Sequence, residues 1–394
     1  MVRHRILPLE LTDSIIDYLQ EDVTSLKACS LACRAWLPAC RFHKFRRMRV
    51  VEGRVIQFEC MLRSSTHIGP CGRHLKIEFC TLEDVECFDS ILQNLPKLRS
   101  LEVIFGPIYF KTPFRVTDVQ SVILLTISCA PDFAKFNHVA DFLGSFPNLE
   151  ELHIHRLDFV TAHRPSYAEL LEHEEIKKVD HNAGVIDHPM FLPSMGTLRT
   201  LQVRCGNREE IRTLPIIIST LKGCPLLKAI KVHIEDLHCD DYGQLISPLT
   251  SRINADELPD SHSYRILRDC PSVQSLHLST TINRIQHYIM VLTSITQATI
   301  GELQLRFCCD EHFSFNSRAD IRRLLLDFDF LARVLTRQST RGIIFQRIRV
   351  MIECTCRDGA HIVPRRVKKK IADVFSLLTK RNTTLVFDGT ELHA

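Results

Sequence analysis

The side chains best suited to chemistry in this chain come in small, isolated sets. His153-x-His155 would place two imidazoles on one face of a strand, because side chains alternate with a period of two, and Cys354-x-Cys356 would do the same with two thiols. Each could supply half of a metal site. Neither has a second ligand pair at zinc spacing, so both read more simply as strand positions and small buried thiols. His173-Glu174-Glu175-Ile176-Lys177 opens like a zincin helix but lacks the second His. No two of the 16 Cys stand three apart, which removes Cys-x-x-Cys knuckles and redox pairs. No two of the 14 Gly stand two, four or five apart, which removes the dinucleotide fingerprint, the nucleophile elbow and the P-loop. A scattered Ser-His-Asp set is not nominated by any spacing. The reading is of a chain with no catalytic residue, no metal site and no cofactor, hence not an enzyme.

Bulk properties point the same way. With 394 residues, 45% hydrophobic and 24% charged, the chain has the composition of a folded protein. Lys and Arg outnumber Asp and Glu by only 50 to 46, a formal charge of +4 that does not favour a nucleic-acid or membrane surface as partner. The richest apolar runs, residues 122–127 and 214–218, are far shorter than a membrane span requires. Glu10 follows the first apolar residues before a signal-peptide core could form, and the Cys are scattered without a disulfide framework. The expected location is cytoplasmic, nuclear or both, and the sequon Asn382-Thr383-Thr384 is expected to be silent.

Two kinds of element must carry whatever function remains. The first lies in residues 1–45. Pro8 is suited to open a helix on which Leu11, Ile15, Ile16 and Leu19 share a stripe. After Glu21-Asp22 a second helix is expected, carrying Leu26, Cys29, Ser30 and Cys33, with Thr24 or Ser25 as its cap. A third would hold Trp36, the one Trp of the protein, which is expected to be largely buried. The phrase Leu7-Pro8-x-Glu10-Leu11, Ile15-Ile16, Leu19, Leu26 and then Cys29-Ser30-Leu31-Ala32-Cys33-Arg34-Ala35-Trp36 resembles an F-box, in the flavour of the expanded F-box families of mushroom-forming (basidiomycete) fungi. The resemblance covers about the first eighth of the chain. It implies a three-helix domain that docks a Skp-type adaptor through Leu7, Pro8, Glu10, Leu11, Ile15, Leu19 and Leu26, with Ile16 and Trp36 holding it together.

The second element, residues 46–394, repeats. Leu95-Pro96-Lys97-Leu98-Arg99-Ser100-Leu101-Glu102-Val103 returns as Phe146-Pro147-Asn148-Leu149-Glu150-Glu151-Leu152-His153-Ile154, as Cys224-Pro225-Leu226-Leu227-Lys228-Ala229-Ile230-Lys231-Val232 and as Cys270-Pro271-Ser272-Val273-Gln274-Ser275-Leu276-His277-Leu278. Leu198-x-x-Leu201-x-Val203 and Ile300-x-x-Leu303-x-Leu305 keep the spacing without Pro. Val119-x-x-Val122-x-Leu124, Leu75-x-Ile77 and Ile348-x-Val350 are weaker copies. Apolar stretches of helical period precede several copies, such as Leu82, Val85, Phe88, Ile91, Leu92 and Leu95, and the Pro explains where each helix stops. The phrase is similar to the strand segment of leucine-rich repeats. The fold expected is therefore an α/β (α+β) solenoid, an N-terminal three-helix F-box followed by an irregular leucine-rich-repeat horseshoe with parallel concave strands and convex helices. Longer insertions are expected near residues 156–193, 236–265 and 308–342, holding either degenerate units or loops. Cys80 and Cys308 fit buried ladder positions.

Residues between the buried strand apolars should face outward, so Glu102, His153, Gln202, Lys231, His277 and Gln304 form the expected target-facing strip. Residues 41–49, basic with two Phe, have the composition of a nucleic-acid footprint, yet sit where the two regions must join. Residues 365–370 read either as a nuclear import signal or as the solvated first turn of a last helix. The function expected from both resemblances is non-catalytic substrate recognition in a Skp-cullin-F-box type ubiquitin ligase. Its partners would be the adaptor, through it a cullin-RING ligase, and an unknown protein target. The alternatives are an F-box scaffold without ubiquitin delivery, a nucleic-acid binder or an enzyme of unrecognised type.

Overall fold

A computed structural model of the chain describes residues 8–106, 116–117, 119–129, 142–155, 195–205, 224–234, 273–281, 292, 299–309, 317–340, 343–354, 364–379, 384–387 and 390–392. Leu7 and the intervals 156–194 and 235–272, which hold two of the expected insertions, lie outside the described residues. The chain divides into two compact units, the first running to Leu152 and the second starting at His153, with residues 159–163 assigned to the first.

The first unit begins with three helices, α1 (Leu9–Tyr18), α2 (Val23–Ala32) and α3 (Leu37–Arg46). Pro8 is the residue before α1 rather than its first turn; its carbonyl accepts from the Thr12 backbone N–H at 3.1 Å. The cap of α2 is Asp22 and not Thr24 or Ser25, whose backbone N–H groups donate to its carboxylate at 3.1 and 3.0 Å. Asp accepts two such bonds where a hydroxyl usually accepts one. α3 passes without a linker into β1 (Arg47–Val50), and α4 (Val55–Ser64) leads on to β2 (His74–Phe79). The helical stretch foreseen from Leu82 forms two short helices, α5 (Leu82–Glu86) and α6 (Phe88–Gln93). α5 opens on a reciprocal cap in which the Asp84 N–H donates to Thr81 Oγ1 and the Thr81 N–H donates to Asp84 Oδ2. Leu82 itself is exposed, while Val85, Phe88, Ile91, Leu92 and Leu95 are buried.

Strands β3 (Ser100–Phe105) and β4 (Leu124–Cys129) complete a parallel set in chain order, β1-β2-β3-β4. The division between units falls inside β5 (Glu151–His155). In the second unit β6 (Thr200–Cys205), β7 (Ala229–Ile234), β8 (Ser275–Thr281), β9 (Thr299–Cys309), β10 (Ile344–Cys354) and β11 (Thr384–Phe387) pair parallel, again in chain order, and β12 (Thr390–Leu392) closes antiparallel on β11. Each unit is thus an open α/β sheet. Among the described residues of the third long interval is the 23-residue helix α7 (Arg318–Thr340), between β9 and β10 in the chain, and α8 (Arg365–Thr379) lies between β10 and β11. Residues 365–370 open α8, with Val367 and Ile371 buried and Arg365, Arg366, Lys369 and Lys370 exposed.

The repeated phrase has a consistent physical meaning. Leu101 and Val103, Leu201 and Val203, Ile230 and Val232, Leu276 and Leu278, and Leu303 and Leu305 are all buried, and they lie opposite one another in register within their units. The copy written from Val119 is out of frame by three residues: Leu125 and Ile127, not Val122 and Leu124, pair with Leu101 and Val103. Val122 takes the leading position held by Leu98 and Leu149, and all three are buried. The Pro copies close with a turn in which Leu98 N–H donates to the Leu95 carbonyl, Leu149 to Phe146 and Leu227 to Cys224, with Pro at the second turn position its fixed φ suits.

Strand entry is fixed by backbone bonds. The Arg73 carbonyl accepts from the N–H groups of both Arg99 and Ser100, that of Arg99 from Ile123 and Leu124, and that of Ile123 from Glu150 and Glu151. In the second unit Arg199 serves Lys228 and Ala229, and Lys228 serves Gln274 and Ser275. The series starts in α3, whose last carbonyl, Arg46, accepts from the Arg73 N–H at 3.0 Å.

Aromatic rings fill the space under the strands of the first unit: Phe79 meets Phe88 and Phe105 at centroid distances of 5.0 and 5.7 Å, and Phe142 meets Phe105 and Phe146 at 6.1 and 5.2 Å. In the second unit Phe328 of α7 bridges Phe307 of β9 and Phe375 of α8 at 4.8 and 5.9 Å. Close packing also reaches the backbone. A Cβ on Gly69 would stand 2.0 Å from the Asn94 carbonyl oxygen, whereas one on Gly196 would meet nothing within 4 Å. Gly69→Ala should therefore destabilise the protein by roughly 1–3 kcal/mol, and Gly196→Ala should stay within about 0.5 kcal/mol of wild type, as measured by urea denaturation.

Candidate interaction surfaces

Helix α1 carries apolar residues on two sides. Ile16 points inward to a small core with Leu26 and Cys40, against which Leu19, Cys29, Trp36 and Ala39 pack. The expected single stripe therefore splits: Ile16 is fully buried, while Leu11 is 53% and Ile15 45% exposed. Leu26, at 1% exposure, holds the helices together and presents no surface to a partner. Trp36 is half-buried at the start of α3, less enclosed than expected, because the core it covers is only three short helices thick.

Leu11, Ser14, Ile15, Tyr18 and Leu19 line a shallow, almost wholly apolar groove on the outer side of α1. Tyr18 is 91% exposed and is a member that the sequence pattern missed, although it stands seven residues after Leu11 and so shares its face. Glu10 is exposed at the same end, as is Pro8. On α2, Val23 and Leu31 are exposed as well. The surface is held from behind by the Asp17 carboxylate, 2.7 Å from His43 Nε2 of α3. At the α2 cap, the Ser25 hydroxyl and the Ser25 and Thr24 N–H groups hold the Asp22 carboxyl below the usual carboxylate range.

Residues 41–49 serve the junction. Phe42 and Phe45 are half-buried, and the guanidiniums of Arg46 and Arg73 stand over the Phe42 ring at 5.9 and 5.5 Å. Arg47 pairs with Glu21 at 3.2 Å.

The outward strand positions form rows. In the first unit Arg49, Lys76, Glu102 and Thr126 lie in register, and their charges are matched across strands: Lys76 Nζ is 2.6 Å from Glu102, and Arg49 is 3.1 Å from Glu78. In the second unit Gln202, Lys231, His277, Gln304 and Arg349 lie in one row. Of the six residues expected on the strip, four are thus adjacent, Glu102 belongs to the first unit's row, and His153 faces outward on β5 with its ring stacked 6.5 Å from that of His155. Arg349, missed in the sequence because its strand copy, Ile348-x-Val350, keeps only two of the three apolar positions, extends the row and pairs with Glu302 at 3.3 Å.

Cys80 is half-buried rather than a closed ladder position, and Cys308 is also half-buried. Burial, with Glu52, Asp84 and Glu78 nearby, pushes the Cys80 thiol up to about 11, which keeps it protonated and a poor nucleophile. Among the described residues no group of three or more His, Cys, Asp or Glu could hold a metal ion, and no helix is long and apolar enough to cross a membrane. Compared with known proteins, the chain matches no family model and no curated protein.

Two histidines register the charge around them. Burial lowers the pKa of His277, a shift opposed by Glu302 and reinforced by Lys231 and Arg349. Burial, then Arg46, Arg47 and Arg73, lower that of His74. Because the unfolded chain binds these protons more readily, the contribution of each histidine to stability is full above about pH 6.5 and is lost as pH falls below it. The melting temperature should drop between pH 7 and 5.5, and the double variant His74→Gln/His277→Gln should show a flatter slope there; an unchanged slope would contradict the assignment.

Proposed function

We propose that the chain is a non-catalytic substrate-recognition subunit of a Skp-cullin-F-box type ubiquitin ligase. In this reading α1–α3 are an F-box that docks a Skp-type adaptor, and the parallel-stranded remainder is a degenerate leucine-rich-repeat solenoid whose open strand face binds a protein target. The observation that carries the first half is the divided apolar character of α1. Ile16 is consumed by the core, yet Leu11, Ile15 and Tyr18 stay exposed on one side with Leu19 beside them. A helix that needed apolar residues only for its own fold would not keep a second apolar side in water. The second half is supported by the repeated alternation of buried apolar and outward polar residues along parallel strands.

The test is co-expression with a Skp-type adaptor. Leu11→Ser, Ile15→Ser and Tyr18→Ser together remove three anchors worth on the order of 2 kcal/mol each, so capture should fall by well over a hundredfold. Their exposure means the melting temperature should hold. Leu26→Ala should instead lower the melting temperature, since it opens a cavity in the small core, at a cost of roughly 2–5 kcal/mol. Undiminished capture by the triple variant would sink the adaptor reading. Accumulation of a bound partner when the proteasome is blocked separates a ubiquitin-delivering receptor from a scaffold.

A further inference from the structure

The outward positions of β6–β10 differ in charge from those of the first unit. Around the central row stand Arg204, Lys231, Arg306, Arg347 and Arg349, and the acidic residues at the same alternating strand positions are Glu302 and Glu353. In the first unit the corresponding charges neutralise one another, Lys76 against Glu102 and Arg49 against Glu78. In the second unit the Glu302 carboxylate stands 3.3 Å from the Arg349 guanidinium, and the cations outnumber the acids. Lys231 is exposed with no ion pair among the described residues, and the buried Nε of Arg204 lacks a hydrogen-bond partner there. Such a surface raises the local concentration of anions and offers guanidiniums that bind carboxylates in two-point contacts.

We propose that this face of the second unit binds an acidic, extended segment of a partner protein. The inference deepens the receptor reading and rests on its assignment of the open strand face as the target surface. Parallel strands lie about 4.8 Å apart, so five of them span ~19 Å, the reach of about six extended residues. Gln202 and Gln304 share that line with Lys231, His277 and Arg349, placing amide groups for backbone N–H and carbonyl groups beside the cations. A nucleic acid suits the row less well. The central row offers no Phe, Tyr or Trp on which a base could stack.

The experiment uses the full chain and a fluorescein-labelled peptide of about twelve residues with Glu at alternate positions and Gly or Ser between, followed by anisotropy near 50 mM salt, where surface charge is weakly screened. Saturable binding is expected, weakening as salt rises. Lys231→Glu should weaken it roughly tenfold, Glu302→Gln should strengthen it, and Lys76→Glu in the first unit should leave it unchanged. The opposite signs guard against a variant that merely unfolds. No binding at millimolar peptide, equal losses for Lys231→Glu and Lys76→Glu, or tighter binding of a single-stranded RNA of the same length would each overturn the proposal. Adaptor capture is measured on the same preparations. If capture is intact and the peptide fails, the ligand assignment falls and the receptor reading stands; if the peptide binds and capture is absent, the reverse holds.

Discussion

Everything in the described structure hangs on how each strand is entered. One backbone carbonyl accepts from two successive N–H groups at the start of the next strand, and the first of those donors becomes the acceptor one step further on, from Arg73 through Arg99 to Ile123 and from Arg199 to Lys228. Buried backbone groups must be paired, so this arrangement both satisfies them and sets the register. A one-residue slip would turn every Leu and Val of a strand from the core to water. The backbone step and the apolar pair two residues apart enforce each other.

That constraint explains why the intervals vary while the strands do not. The chain from β9 to β10 spends its length on α7, whose Phe328 fills the same kind of space that Phe88 and Phe142 fill nearer the N-terminus. What lies between two entries is free to be short, as with α5 and α6, or one long helix. The packing requirement is an aromatic or aliphatic layer beneath the strands.

The strands were legible because a period of two over three buried positions leaves a pattern that no helix shares. The frame was not always legible: Val119, Val122 and Leu124 satisfy the same spacing as Val122, Leu125 and Ile127, and only burial separates them. α7 went unread because its amphipathic pattern stands alone, without the Pro that marks other units. The outward row was legible where the phrase was strong, at Gln202, Lys231, His277 and Gln304, and incomplete at Arg349. On α1 the apolar residues were visible but their two roles were not. Adjacent Ile15 and Ile16 differ by one step of a helix, about a hundred degrees, and sequence alone does not say which way the helix is rolled.

The outward residues have a property the buried ones lack. Leu201 and Ile230 are fully buried, whereas Gln202 is half-buried and Lys231 is exposed. Substitution of an exposed side chain such as Lys231 costs the fold little. A lineage can therefore rewrite the chemistry displayed by one row, a side chain at a time, while inheriting the scaffold unchanged. The division of labour along each strand makes recognition and foldability separate traits, open to separate selection.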